Sequence, residues 1–228
     1  MTLIVLPSLI QGTDEWLEQR RGMVTASVVG KLITAKTIKP ASNDDSRGLT
    51  ALLVAERITG HVEPVYASDD MLRGQMDEPV ARDLYSQHFA PVREVGFMVR
   101  KESGWSLGYS PDGLVGDDGL IEIKSRRPKK QLQTILADEV PPENMPQLQA
   151  GLFVTGREWI DYVSFCGGMP LYVKRTFPDQ RWFDAIEQSV DTFEATATAM
   201  VARYEALIDG LPMTERRVDF DAQIQVAA

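Results

Sequence analysis

Residues 109–124 constrain the fold of this chain more tightly than any other stretch. Ile121-Glu122-Ile123-Lys124 alternates apolar and charged residues. A strand there sends Ile121 and Ile123 into a core and sets Glu122 and Lys124 together on the opposite face. Gly116-Asp117-Asp118-Gly119 is a turn sequence that folds Ser110-Pro111-Asp112-Gly113 back along this strand, bringing Asp112 near that face. Two carboxylates and an amine at one place suit metal-assisted hydrolysis of a phosphodiester. Asp112 and Glu122 supply hard oxygen ligands for Mg²⁺, and the Ile123 carbonyl adds a third. Lys124 stands where an attacking water is oriented or deprotonated, and its own protonation depends on burial beside the carboxylates. Spacing alone also admits an exposed hairpin, because Asp-Gly turns and Glu-x-Lys pairs are common on surfaces.

Around this hairpin, helical and extended patterns alternate. Residues 14–21 read as a short helix capped by Thr13, with Trp16 and Leu17 as its apolar contacts. Thr25 and Ser27 fall where a second short helix begins, running through Leu32 and Ile33. Hydroxyls at a helix start suit either a phosphate, with Arg20 one segment earlier, or plain N-capping by Ser27. Residues 34–48, with Pro40, Ser42, Asn43, Asp44 and Asp45, read as a polar loop. Helices fit 49–59, ended by Gly60, and 71–89. Strands fit 93–99, 105–109 and 120–124, followed by a Pro-containing loop. A helix over 143–155 and strands over 159–165 and 171–177 come next.

The last segment carries Phe183, Ile186, Val190, Phe193, Ala197, Met200, Tyr204, Leu207 and Leu211 at steps of three and four. This predicts one long helix over 180–208 with a buried side, whose Ala-rich part also suits packing against a neighbouring subunit. The whole pattern predicts an α/β fold with helices flanking a sheet. One domain over 1–228 is expected, with its core at 12–177 and the final helix packed on it.

Composition narrows the function classes. The single cysteine, Cys166, excludes a disulfide framework and an iron–sulfur cluster, and reads as a buried apolar residue. The apolar stretch 2–10 is short, lacks a basic flank and is interrupted by Pro7, so it makes a poor signal peptide. No run reaches membrane-spanning length, and a soluble, cytoplasmic protein without a membrane partner is expected. His61 and His88 are isolated and read as structural. A Gly-x4-Gly-Lys-Ser/Thr phosphate loop is absent, which argues against an ATP-driven enzyme. The net charge of −9 argues against a protein that holds nucleic acid by bulk attraction. The strongest basic run, residues 124–130, leaves the carboxylate site directly. It reads either as a solvated loop or as a local positive entrance on an acidic exterior.

Several segments occur in a telling order. Trp16-Leu17-Glu18-Gln19-Arg20 leads into Gly22-Met23-Val24-Thr25-Ala26-Ser27, and Gly74-Gln75-Met76-Asp77-Glu78 follows. Ser110-Pro111-Asp112-Gly113, Glu122-Ile123-Lys124 and Met145-Pro146-Gln147-Leu148-Gln149 complete the set. Over residues 12–165 this resembles the phage lambda exonuclease family, the YqaJ-type viral recombinases, within the PD-(D/E)xK nucleases. The resemblance implies a restriction-endonuclease-like core with a central mixed β-sheet. It implies a Mg²⁺-dependent, processive 5′-to-3′ exonuclease that degrades one strand of duplex DNA to mononucleotides. The 3′ overhangs left behind would serve recombination by strand annealing.

The same resemblance implies two Mg²⁺ ions per site, replaceable by Mn²⁺, with Glu78 as a further carboxylate near them. Spacing alone allows Glu78 to be an ordinary helix N-terminal acid. Gln147 and Gln149 are implied near the scissile or terminal phosphate, where spacing alone would make them solvent contacts. Arg20, Thr25, Ser27 and Ser110 are implied as a seat for a 5′-phosphate. The 34–48 loop, which departs from the family in sequence, falls in the region that parts the strands, with Met71 or Leu72 as an apolar wedge. A ring-shaped homotrimer and a single-strand annealing protein complete the implied partners. A structure- or sequence-specific endonuclease on the same core is a competing reading. So is a non-catalytic DNA-binding module, against which intact Asp112, Glu122 and Lys124 count.

Overall fold

The computed structural model describes residues 2–63 and 68–216. Strand β1 (Thr2–Leu6) and helix α1 (Asp14–Arg20) are followed by β2 (Val24–Thr25), a 3₁₀ turn (Val29–Leu32), β3 (Ile33–Thr34) and β4 (Lys39–Pro40). Helices α2 (Asp44–Thr59) and α3 (Asp69–His88) precede the strands β5 (Val92–Arg93), β6 (Phe97–Lys101), β7 (Ser106–Tyr109), β8 (Gly113–Val115) and β9 (Gly119–Ser125). The remaining elements are α4 (Pro128–Ala137), a 3₁₀ turn (Pro142–Asn144), α5 (Met145–Thr155), β10 (Trp159–Phe165), β11 (Tyr172–Thr176) and α6 (Gln180–Leu207).

The expected mixed α/β architecture with a long final helix is present, but the sheet is divided. One mixed sheet has the order β1-β6-β7-β2, and a second has the order β11-β10-β9-β8-β5. The division falls between β7 and β8, at Ser110–Asp112. In the β8–β9 hairpin Gly113 pairs with Ile121 and Val115 with Gly119. Two residues further would set Pro111 opposite Ile123, and proline has no N–H to give the Ile123 carbonyl. The Asp112 carboxylate takes the Ile123 N–H instead, at 2.6 Å.

Strand β9 is buried on both faces. Ile121 and Ile123 pack with Ala81 and Tyr85 of α3 and Val163 of β10. Leu120, on the alternate face, lies in the main core with Leu148 of α5, Tyr162 of β10 and Ile186 of α6. Glu122 and Lys124 share the Leu120 face by the strand's two-residue period, and so point toward α5.

The apolar N-terminus, to which the sequence pattern assigned no element, is an edge strand, β1, antiparallel to β6. Three expectations need correction. The loop at 34–48 contains the β3–β4 pair, and α2 starts at Asp44 because Asn43 and Ser46 form a reciprocal capping box. The Pro-containing loop after β9 is helix α4, which Pro128 starts without losing a needed donor. Residues 93–99 divide between two sheets, since β5 pairs with β8 while β6 pairs with β1 and β7. The α6 stripe is buried as far as Ala197. Beyond it Met200 and Tyr204 are 37% exposed and Leu207 65%, so the helix outruns the core. Among the described residues no helix is long and apolar enough to cross a membrane.

Leu120→Ala should destabilise the protein by about 2–5 kcal/mol, because it empties a fully buried position on the strand that carries Glu122. A lowered urea midpoint with an unchanged slope checks this.

Candidate active site

A cleft of about 350 Å³ opens beside the end of β9. Asp112, Glu122, Ile123, Lys124, Glu78 and Gln147 line one part of it, and Arg20, Thr25, Ser27 and Ser110 another. Sequence-distant residues meet here because the sheet pairing is interrupted at Ser110–Asp112 and because α3 lies along β9. Asp70, Gly74 and Glu78 recur every four residues and face the cleft. Ala81 and Tyr85 continue that side of the helix into the core.

Glu122 is 1% exposed, and both its oxygens have partners. Oε1 accepts from Lys124 Nζ at 2.8 Å and from Gln147 Nε2 at 2.5 Å. Oε2 accepts from the Tyr109 hydroxyl at 3.1 Å. Lys124 Nζ also donates to Gln147 Oε1 at 3.0 Å, so lysine, glutamine and glutamate form a closed ring of bonds. Arg82 braces the acidic side, donating from Nε to the Asp112 carbonyl at 2.8 Å and pairing with Glu78 and with Glu94.

These neighbours shift the charges. Burial, then the charges of Glu122 and Glu78, hold the Asp112 carboxyl well above its ordinary range. Glu78 is raised by burial, with Arg82 opposing and Glu122 and Glu94 adding to the rise. Burial alone would lower Lys124, but Glu122 and Asp112 outweigh it and the ammonium is held above its usual value. Among the described residues no three His, Cys, Asp or Glu side chains close into a ready ligand set, since each carboxylate is turned to a protein donor. The donor chemistry nevertheless fits a hard divalent cation: oxygen ligands only, and acids whose crowding depresses ionisation until positive charge is supplied.

The second part of the cleft is a cation, Arg20, without a carboxylate in bonding contact among the described residues. Arg20 Nη2 donates to Thr25 Oγ1 at 3.2 Å and Ser27 Oγ at 3.5 Å, and the guanidinium lies 3.8 Å over the Trp16 ring. Burial lowers its pKa to about 10, with Glu56 acting the other way, and it remains charged at neutral pH. Ser27 does not cap a helix: the 3₁₀ turn starts at Val29 without a side-chain cap, and the Ser27 hydroxyl meets Thr25 and Arg20. Trp16 Nε1 donates to Ser110 Oγ at 3.1 Å, joining this part to the segment that carries Asp112.

The YqaJ-like viral recombinase domain matches residues 15–158. The chain belongs to this family. It is a deoxyribonuclease. The alkaline exonuclease LHK-Exo of Laribacter hongkongensis is 33% identical, with a TM-score of 0.77 over 88% of this chain and 100% of that one. LHK-Exo in complex with dAMP matches with a TM-score of 0.78 at the same identity and coverage. A phage related exonuclease from Haemophilus somnus 129PT shares the fold, with a TM-score of 0.60 at 11% identity over 80% of this chain and 96% of that one. Among curated proteins none matches.

Not every residue implied by the resemblance reaches the cleft. Gln149 is 1% exposed and donates to the Phe177 carbonyl while accepting from Asp179 N, both at 2.9 Å. It ties α5 to the start of α6 and has no amide group left for a phosphate. Met71 and Leu72 lie on the first turn of α3, 47% and 48% exposed, outside the cleft lining. The basic run is mostly paired internally: Arg126 bonds Tyr162 and Asn144, Arg127 pairs with Asp70, and Lys130 with Glu143. Of its cations Lys124 lines the cleft. Sequence reasoning passed over Arg82 and Tyr109. Arg82 follows Glu78 by four residues on one helix, a spacing that signals a pair. Tyr109 reads as an apolar strand residue, and nothing in its neighbours reveals the carboxylate.

The raised Asp112 sets a sign for stability. A carboxyl whose folded pKa exceeds its unfolded value binds more protons when folded, so its contribution is present at low pH and is lost as pH rises through the folded value. Asp112→Asn removes that loss and can keep the bond from Ile123 N. Without divalent cation it should raise the melting midpoint at pH 7–8 by about 2–4 °C per kcal/mol relieved, and the gain should vanish below about pH 4. Thermal scans of both proteins in chelator across pH provide the check.

Proposed function

We propose that this DNA exonuclease digests one strand of duplex DNA processively from its 5′ end in the cytoplasm, releasing mononucleotides and leaving 3′ overhangs for strand annealing. One observation carries the reading: a half-buried arginine flanked by two hydroxyls shares a cleft with Asp112, Glu122 and Lys124. A planar guanidinium beside hydroxyls suits the terminal phosphate of a strand, which it binds with charge-assisted bonds. Holding that end places a later phosphate of the same strand at the carboxylates. Asp112, Glu122 and the Ile123 carbonyl, with Glu78 beside them, would hold Mg²⁺ or Mn²⁺, two ions per site, whose chemistry is to activate water and stabilise the leaving oxygen. Lys124, charged and aimed by Gln147, orients that water and faces the phosphate's negative charge. Ser110, bonded to Trp16, helps hold the terminal nucleotide.

The proposal extends to assembly. The apolar end of α6 beyond Ala197 offers surface for packing a second copy, in keeping with a ring-shaped trimer. Exposed Met71 and Leu72 stand at the start of the helix that walls the cleft, where they suit a wedge between strands. A single-strand annealing protein would receive the emerging 3′ strand.

Linear duplex labelled at each end, with 5′-phosphate or 5′-hydroxyl and with Mg²⁺ or chelator, tests the reading alongside closed circular duplex. Mg²⁺-dependent loss from 5′-phosphorylated ends, with circles intact, is expected. Nicked circles would instead establish an endonuclease. Asp112→Ala and Glu122→Ala should abolish cleavage while DNA binding persists. Arg20→Ala should shrink the preference for 5′-phosphate at fixed salt, and Arg20→Lys should restore it in part. Equal weakening on both kinds of end would make Arg20 a general backbone contact.

A further inference from the structure

We propose that Tyr109 is a positioning residue for Glu122 and that Gly151 is glycine in order to admit it. The inference rests on the metal-dependent nuclease reading above and assigns a residue outside the motif that carries that reading. Tyr109 is the last residue of β7, directly before the break that frees Asp112, and it is 1% exposed. Its hydroxyl donates to Glu122 Oε2, while Lys124 and Gln147 take Oε1. The two ends of the carboxylate are therefore held by different donors, and the group cannot turn about its last torsion without losing three bonds. Of the three, Tyr109 alone reaches the second oxygen. A neutral donor fixes that oxygen without cancelling its charge, so its remaining lone pair stays available to a cation. Such outer partners orient metal ligands and sustain their affinity.

The ring needs space to bring the hydroxyl there. A Cβ at Gly151 would lie 2.8 Å from Tyr109 Cζ and 3.1 Å from its hydroxyl oxygen. Gly151 sits in the interior of α5, where glycine costs roughly 0.5–1 kcal/mol relative to alanine. Helix propensity therefore argues for alanine and the tyrosine ring argues against it. Any side chain at 151 must push the ring, and with it the hydroxyl, off Glu122. Two residues on different elements thus act on one oxygen, Tyr109 from the cleft lining and Gly151 from behind it, outside that lining.

The test uses the full chain and two variants, Tyr109→Phe and Gly151→Ala, with their double. Mn²⁺ binding to the protein without DNA is measured by calorimetry, and kcat and KM on 5′-phosphorylated duplex are measured separately. Tyr109→Phe should weaken Mn²⁺ binding about 10- to 100-fold and lower kcat at fixed Mg²⁺, with KM for DNA unchanged and excess Mg²⁺ restoring part of the loss. Gly151→Ala should do the same, and the double variant should be no worse than the more affected single one, as for two changes acting through one contact. Wild-type Mn²⁺ affinity in folded Tyr109→Phe would overturn the proposal, as would additive losses in the double variant. Should Tyr109→Phe fail to fold, Gly151→Ala decides: retained Mn²⁺ affinity there overturns the proposal, and weakened affinity supports it. Failure of both variants to fold would make the contact structural and overturn it. A wild-type protein that binds no Mn²⁺ would instead overturn the metal-dependent reading itself.

Discussion

A single bond organises this molecule: the Ile123 N–H donated to the Asp112 carboxylate, where a strand partner would otherwise stand. It lets β8 end and β9 continue. The last residues of β9, with Glu122 and Lys124, therefore run past their neighbour into a cleft. Continued ladder pairing would set Pro111 opposite Ile123 with no N–H for the Ile123 carbonyl, so the two-bond pair cannot form there, and the Asp112 side chain takes the Ile123 amide. The same break separates the two sheets and lets β7 turn away with Tyr109 and Ser110 toward α1. Arg82 then holds the Asp112 carbonyl from the side of α3, so the residue is fixed at its main chain as well as at its carboxylate.

Electrostatics makes the site costly to the fold. Asp112 and Glu78 are raised by burial and by other carboxylates, while Lys124 is raised because those carboxylates outweigh its own burial. Perturbed acids beside a charged lysine in a cleft are what a hydrolytic site requires and what a stability optimum would discard. The compensation lies in the apolar packing beneath: Ile121, Ile123, Ala81 and Tyr85 on one face of β9, and Leu120 with Leu148 and Tyr162 on the other.

Some of this was legible in the sequence for physical reasons. The alternation at 121–124 dictates a strand face, and the three-and-four stripe of α6 dictates a helix. Reading that stripe cannot tell where the core stops, so its exposed end beyond Ala197 was not legible. Gln147 and Gln149 illustrate a sharper limit. Two residues apart on a helix point in nearly opposite directions, so a Gln-x-Gln pair cannot place both amides in one cleft. Gln147 meets Glu122, and Gln149 staples the start of α6. The capping box of α2 was present as Asn43 and Ser46, but serine in the third helical position is a weak signal beside Pro40 and two aspartates. Tyr109 was illegible because its partner lies thirteen residues away through a break in the sheet.

Helix α3 has two unlike halves. Its second half is anchored by Ala81 and Tyr85, both fully buried. Its first half is fastened by polar pairs: Asp70 with Arg73 and Arg127, and Ser125 between Arg73 and Asp77. Exposed ion pairs are worth little and weaken in salt, whereas apolar burial does not. The turns nearest Asp69 therefore depend more on contacts that salt weakens than the turns at Ala81 and Tyr85 do. Glu78 sits near the boundary. One wall of the cleft therefore rests on two kinds of contact, apolar burial at its inner end and salt-sensitive polar pairs at its outer end.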